Sequence, residues 1–263
     1  IRRKTTPQTK IVLLIHYFGF PQPVQKIKKA LPGHVVLVED CVHGFLSSIS
    51  GRPLGSFGDI SFTSYRKYLP LPDGAQITFH HDGAHSVGRK TAILYPSLRT
   101  VLLLLKGLRP HFAGLVPDSF FYRSFKYTER LLSSRKQPAG MSFISRRLLS
   151  AIDLQQVVTA RRRNYLCLLS HLNNKKIKPL FPELPEGVCP LGFPLRCPER
   201  DQLKEYLVAQ RIYPPIHWNL PEQLDSREFP LSHRLSGSLL TIPCDQRYTE
   251  EDMKRVAEVF NSW

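Results

Sequence analysis

The sequence predicts an α/β fold with a mainly parallel sheet, followed by a smaller α+β region. Two short, unbroken apolar runs, Ile11–Ile15 (IVLLI) and 35–38 (VVLV), enclose Val24–Ala30 (VQKIKKA), whose apolar residues recur at helical spacing. Strand, helix, strand in that order is a βαβ unit, and continuous β-branched runs suit strands buried on both faces of a parallel sheet. Past Pro179 the elements alternate again, in shorter form: 189–195 and Leu239–Ile242 read as strands, 200–211 and 249–261 as helices.

Taken in order, residues 1–10 are polar and basic, the approach to the first strand. The helix 24–30 stops at Leu31-Pro32-Gly33. The second strand ends at Glu39-Asp40, on the edge where open α/β sheets bind ligands. A glycine-rich stretch, 51–59, follows; its glycines suit turns, and no Gly-Lys-Ser/Thr marks a P-loop. Segments 60–63 and 76–79 read as strands, 98–105 as an apolar helix, and 120–123 (FFYR) as part of an aromatic, basic linker. Residues 148–172 give the longest helix signal. Thr249 followed by Asp252 resembles a capping box for the last helix.

Composition narrows the function classes. The run 101–105 (VLLLL) is far shorter than the ~20 residues of a membrane-spanning helix, so no membrane partner is expected. The five cysteines, Cys41, Cys167, Cys189, Cys197 and Cys244, form no CxxC. A zinc ribbon or disulfide framework is therefore disfavoured, no metal is expected, and a reducing cytoplasm fits best. The 37 Lys and Arg against 21 Asp and Glu give +16, suited to nucleic acid, an acidic surface or phosphorylated small molecules. The charge is spread along the chain, apart from local clusters such as Arg161-Arg162-Arg163 and Lys175-Lys176, and no nucleic-acid module accompanies it.

The order of short motifs is more specific than any one of them. Glu39-Asp40-Cys41-Val42-His43 closes a buried strand, and Gly51-Arg52-Pro53-Leu54-Gly55-Ser56-Phe57-Gly58-Asp59 comes next. Ser61-Phe62, then Ser64-Tyr65-Arg66-Lys67, then Pro72-Asp73-Gly74 follow. Downstream lie Arg162-Arg163-Asn164-Tyr165, Pro214-Pro215-Ile216-His217-Trp218 and 239–248 (LLTIPCDQRY). This series resembles the DegT/DnrJ family of pyridoxal-phosphate (PLP) dependent aminotransferases, and the resemblance runs over nearly the whole chain. It implies a fold-type-I PLP-dependent transferase. Residues 1–147 would be the C-terminal part of the PLP-binding large domain and 148–263 the small domain.

The resemblance assigns roles that the chemistry explains. Such enzymes hold PLP through a lysine and keep its pyridine nitrogen protonated with a carboxylate. Lys67 stands at the lysine position and Asp40 at the carboxylate position. Arg66 cannot replace Lys67, because a guanidinium stays protonated. A desolvated, positively crowded lysine favours the neutral amine, which can attack a carbonyl and then shuttle a proton. His43 matches a residue near the cofactor's phenolic oxygen, and His217 a loop that faces the substrate sugar. Ser61 and Ser64 are both candidates for the hydroxyl on the cofactor phosphate. The chain departs from the family in two places. The Asp59-to-Lys67 spacing is a couple of residues short, and Asp73-Gly74-Ala75 stands for Asp-Gly-Gly, where alanine does not readily take positive φ.

The function implied is amino transfer from a donor, glutamate by family habit, to a keto-sugar carried on a nucleotide, by a homodimer. A histidine in place of Lys67 would have favoured a sugar dehydratase. The sequence also leaves open a non-aminating family member, either a sugar dehydratase or a non-catalytic scaffold, and, with less support, a basic nucleic-acid-binding module. The chain begins with Ile1 inside a domain-like pattern, so an N-terminal portion is expected to be absent. With it would go a phosphate-binding helix N-terminus, so this chain alone is expected to bind PLP weakly or not at all, and full activity to need the absent segment.

Overall fold

The structure, a computed structural model, describes residues 1, 4–80, 93–108, 117–134 and 139–263. Strands β1 (Ile11–Ile15), β2 (Val36–Asp40), β5 (Ile60–Ser64) and β6 (Ala75–Phe79) form one sheet in the order β1-β2-β5-β6. β1, β2 and β5 run parallel and β6 antiparallel, so the sheet is mainly parallel as the sequence predicts. The register sets Ile15 beside Asp40, and Asp40 beside Phe62. Helix α1 (Val24–Ala30) returns the chain from β1 to β2 and buries Val24 against Leu14, Leu37 and Phe57. Each such side chain contributes about 1.5–3 kcal/mol by leaving water. The pin on this unit is Asp59, whose carboxylate accepts from Leu37 N at 2.7 Å and Lys28 Nζ at 3.2 Å.

The sheet is not buried on both faces, as the continuous apolar runs imply. The α1 face holds Leu14 and Leu37, whereas Ile11, Leu13 and Ile77 on the other face are 61%, 54% and 46% exposed. A small hairpin, β3 (Ser48–Ile49) and β4 (Arg52–Pro53), lies in the glycine-rich stretch.

Helices α2 (Leu94–Leu108) and α3 (Asp118–Ser133) follow and pack on each other. The expected linker around Phe120-Phe121-Tyr122-Arg123 is thus helical. Phe121, Phe125 and Thr128 recur at helical spacing, and Phe121 and Thr128 are buried. The single helix expected over 148–172 is two, α4 (Phe143–Ala151) and α5 (Leu154–His171). Ile152 is extended, and the Asp153 carboxylate caps α5 by accepting from Gln155 N and Gln156 N. An aspartate that satisfies two orphan N–H groups starts a helix better than it continues one. The expected domain boundary at 147/148 falls inside α4.

The C-terminal region is built on the sheet β7 (Lys178–Pro179), β8 (Phe193–Arg196) and β9 (Leu239–Ile242), with α6 (Arg200–Ala209), α7 (Pro230–Ser238) and α8 (Glu250–Asn261). β8 starts later than expected, after Gly192. α7, which the sequence pattern does not announce, opens with Pro230 in its first turn, a position proline favours. The capping box at Thr249 and Asp252 is formed. The main core joins Tyr165, Leu168, Phe193, Leu195, Leu203, Leu207, Leu240, Ile242 and Phe260, and Phe18 and Phe20 enter it from the loop after β1.

The arginine cluster on α5 is solvated only at Arg163. Arg161 is 2% exposed and donates to the carbonyls of Pro190, Leu191 and Tyr68 and to Gln246 Oε1. Asn164, also buried, donates to the carbonyls of Asp245 and Tyr248. All five cysteines are free and buried. Among the described residues no helix is long and apolar enough to cross a membrane.

Candidate active site

Two adjacent carboxylates end β2 and point to opposite faces of the sheet, as strand alternation requires. Glu39 is fully buried beneath the sheet. It accepts hydrogen bonds from the backbone N–H groups of Gly55, Phe57 and Gly58 and from His16 Nε2 at 3.0 Å. Gln22 N donates to His16 Nδ1, so Nε2 is the ring nitrogen that carries the proton toward Glu39. Burial works against Glu39 ionising, but these hydrogen bonds outweigh it and hold the carboxyl below its ordinary range. Gly55 can serve because its φ is +87° and a Cβ there would crowd Ser61 Oγ at 3.0 Å. Cys41 Sγ lies within 4.8 Å of the His16 and Glu39 ligand atoms, but those two are already engaged and burial pushes the thiol up. This trio holds the loop 55–58 to the strand ends, and nothing in it calls for a metal.

Asp40, on the other face, is half-buried, and one oxygen accepts from Val42 N at 2.9 Å. With Ile15, Tyr17, Val42, His43 and Trp218 it lines a pocket of about 250 Å³. That is just under the ~300–1,000 Å³ typical of small-molecule sites. It has room for a substituted ring, but not for a nucleotide-linked sugar as well. The pocket is walled by aromatic side chains. Trp218 stacks on His43 at 5.4 Å and 20°, and Tyr17 meets Trp218 edge-on at 5.4 Å. The His217 ring lies 5.8 Å from that of His43, with its Nδ1 2.8 Å from Thr241 Oγ1.

His43 is 8% exposed, and its Nδ1 is buried without a hydrogen-bond partner. Burial, then the charges of Lys67 and His217, push the ring down to about 4, so it is neutral at pH 7. His217 is lowered by the same two causes, burial and Lys67. Lys67 ends a one-turn 3₁₀ helix, Tyr65–Lys67, that leaves β5. It reaches solvent, yet the protein packed around it lowers its pKa. Arg66 adds to the lowering and Glu129 opposes it. Arg66 is committed elsewhere, in a two-pronged pair with Glu129 at 2.6 and 3.2 Å.

His43, His217 and Lys67 therefore form one electrostatically connected group, Asp40 shares its pocket with His43, and Ser61 stands apart. In the β2–β5 register Ser61 pairs with Glu39, and it lines a second cavity of about 400 Å³ with Cys41, Thr63 and His80. Ser64 is two residues on from Phe62, the partner of Asp40, and so shares the Asp40 face; its side chain makes no capping bond. In the turn 73–75 the departure from the family is absorbed by Gly74, at φ +117°, while Ala75 begins β6 as extended backbone. Asp73 accepts from Ser142 and Ser145 and ties this turn to the start of α4. The motifs did not mark Tyr17 and Trp218 as site residues. Tyr17 is two residues beyond Ile15, the register partner of Asp40, and that strand-end position was the available signal.

Comparison with known proteins adds a family match and a shared fold. Residues 1–86 match the DegT/DnrJ/EryC1/StrS aminotransferase family. The dTDP-3-amino-3,6-dideoxy-alpha-D-galactopyranose transaminase of Aneurinibacillus thermoaerophilus is 23% identical over 275 residues, covering 100% of this chain and 68% of that protein. The dTDP-4-dehydro-2,3,6-trideoxy-D-glucose 4-aminotransferase of Saccharopolyspora spinosa is 24% identical, covering 99% and 67%. A Streptococcus pneumoniae protein solved in its PLP form superposes with a TM-score of 0.66 at 15% identity, covering 99% of this chain and 70% of that one. Residues 1–86 thus match the DegT/DnrJ/EryC1/StrS aminotransferase family, and the chain as a whole shares the mixed α/β fold of that solved Streptococcus pneumoniae protein.

Proposed function

We propose that this chain is a PLP-dependent aminotransferase that moves an amino group to a keto-sugar carried on a nucleotide, with Lys67 as the residue that links the cofactor. The observation that carries the reading is the pocket at the end of β2. A carboxylate, Asp40, and a neutral histidine with an unpartnered nitrogen, His43, share it, and the charge of Lys67 acts on that histidine.

The residues suit the group. Asp40 presents a carboxylate that would hold a pyridine N–H⁺, and Val42 offers an apolar surface beside it. His43 Nδ1, buried without a partner, would gain one in the cofactor's phenolic oxygen. Ser64, on the Asp40 face, is the serine favoured for the phosphate. Bound PLP would supply the electron sink for breaking the bond at the carbon that carries nitrogen.

The chain's own contribution is proton handling. Lowering the Lys67 pKa raises the fraction of neutral amine near pH 7, so Nζ can attack a carbonyl and later take and return a carbon-bound proton. His217 lies against Trp218, which lines the pocket, and from there His217 would meet the sugar. The +16 charge suits an acidic, nucleotide-linked substrate.

The finer points belong to the same reading: glutamate as amino donor, a homodimer, a cytoplasmic setting favoured by five free buried cysteines, and a division into 1–147 and 148–263. The test is to titrate the full-length protein with PLP and then add glutamate and, separately, a nucleotide-linked keto-sugar. A cofactor absorbance that glutamate shifts and the keto-sugar restores supports the reading. A cofactor spectrum that neither ligand moves refutes it.

A further inference from the structure

The turn that carries Lys67 is held from outside the sheet. Arg66 reaches α3 and pairs with both oxygens of Glu129. From α2, Arg99 Nη1 donates to Glu129 Oε1 at 2.9 Å and to the buried Thr128 Oγ1 at 2.9 Å. One carboxylate thus sits between two guanidiniums from separate elements, and the charges of Arg66 and Glu129 both act on Lys67, the next residue along the turn. Tyr95, 4% exposed, is electrostatically coupled to Arg66, Arg99, Glu129 and Asp73, and its hydroxyl has no partner. The other groups around Lys67 are His43 and His217. Asp73, the remaining carboxylate in the cluster, is occupied by Ser142 and Ser145.

We propose that Glu129 is a positioning residue for Lys67: through Arg66 it fixes the 65–67 turn and offsets the guanidinium charge beside the amine. The inference rests on Lys67 being the reactive lysine, and it adds a part played by the α2–α3 pair, which none of the motifs around the site reaches. Arg66 and Glu129 act on Lys67 with opposite signs. If Glu129 is neutralised, the uncompensated arginine makes the ammonium less favourable and the free amine more abundant. If Arg66 is neutralised, the remaining carboxylate favours the ammonium. Removing both restores the balance. A contact that only stabilised the fold would give both single variants the same sign.

The experiment is competitive acetylation of the cofactor-free chain across pH, with Lys67 read by mass spectrometry against the surface lysines Lys175 and Lys204. At a fixed pH below the lysine's titration, Glu129→Gln should raise Lys67 labelling about threefold and Arg66→Gln should lower it about threefold. These are the sizes expected for a partly screened charge removed nearby. The double variant should return to the wild-type value, and Glu129→Asp should stay close to it. Equal changes of one sign, or no change, would overturn the proposal. If Glu129→Gln loses its circular dichroism signal, Arg66→Gln decides: lowered Lys67 labelling supports the proposal, and unchanged or raised labelling overturns it. Failure of PLP to attach to Lys67 would sink the functional reading but leave this measurement intact.

Discussion

Glu39 and Asp40 are neighbours in sequence and chemically almost identical, yet the sheet gives them opposite work. The Glu39 face is closed: four hydrogen-bond donors converge on one buried carboxylate, and the loop 55–58 hangs from it. The Asp40 face is open: one backbone N–H is satisfied, and the rest of the carboxylate looks into an aromatic pocket. One carboxylate is used up by folding, and its neighbour is left available for a ligand. Removing each in turn should separate stability from function.

The largest effect is expected on the closed face. Glu39→Ala strands three buried N–H groups and His16. Each unsatisfied group costs about 1–3 kcal/mol and the losses are not additive, so about 3–5 kcal/mol of unfolding free energy should disappear in a urea titration. Asp40→Ala should cost under about 1 kcal/mol by the same titration while abolishing PLP binding, since only one hydrogen bond to the protein is lost. A large stability loss in Asp40→Ala would erase the contrast between the faces.

Acid should reveal the same asymmetry. The folded Glu39 pKa lies below the unfolded value, so its stabilisation is present above about pH 4.3 and is lost as pH falls through the folded pKa. His43 is a base whose folded pKa is depressed to about 4. The unfolded chain therefore binds more protons between about pH 6.5 and 4, and stability falls as pH drops through that window, by at most about 3 kcal/mol. His43→Gln should flatten the pH 6.5-to-4 limb and leave the lower limb from Glu39. Denaturation midpoints measured at half-unit pH intervals would check both.

The smallest effect distinguishes the serines. Ser64→Ala should weaken PLP binding about fivefold, the worth of one hydrogen bond, and Ser61→Ala should leave it within twofold. Equal losses, or loss only in Ser61→Ala, would put the phosphate on the other face.

Much of this was legible in the sequence because the relevant signals are local. The runs at 11–15 and 35–38, with Val24–Ala30 between them, fix a βαβ unit, and that unit puts Asp40 at the ligand edge. Thr249 and Asp252 announce their helix outright. What stayed hidden depends on partners distant in sequence. Glu39 looks no different from Asp40 until the register and the loop 55–58 decide which face each side chain takes. Arg161 looks solvated within a run of arginines until four acceptors, from Tyr68, Pro190, Leu191 and Gln246, surround it. Ser61 and Ser64 could be separated only by counting along a known register. The break at Ile152-Asp153 was readable from the aspartate, but strong helical periodicity on both sides masked it.

The central claim is a bond to Lys67, and it can be trapped. Reduce the protein with borohydride in the presence of PLP, digest it, and map the modified peptide by mass spectrometry. The expected result is a phosphopyridoxyl group on Lys67, absent from the Lys67→Ala variant. Modification at a different lysine, with Lys67 untouched, would contradict the site described here.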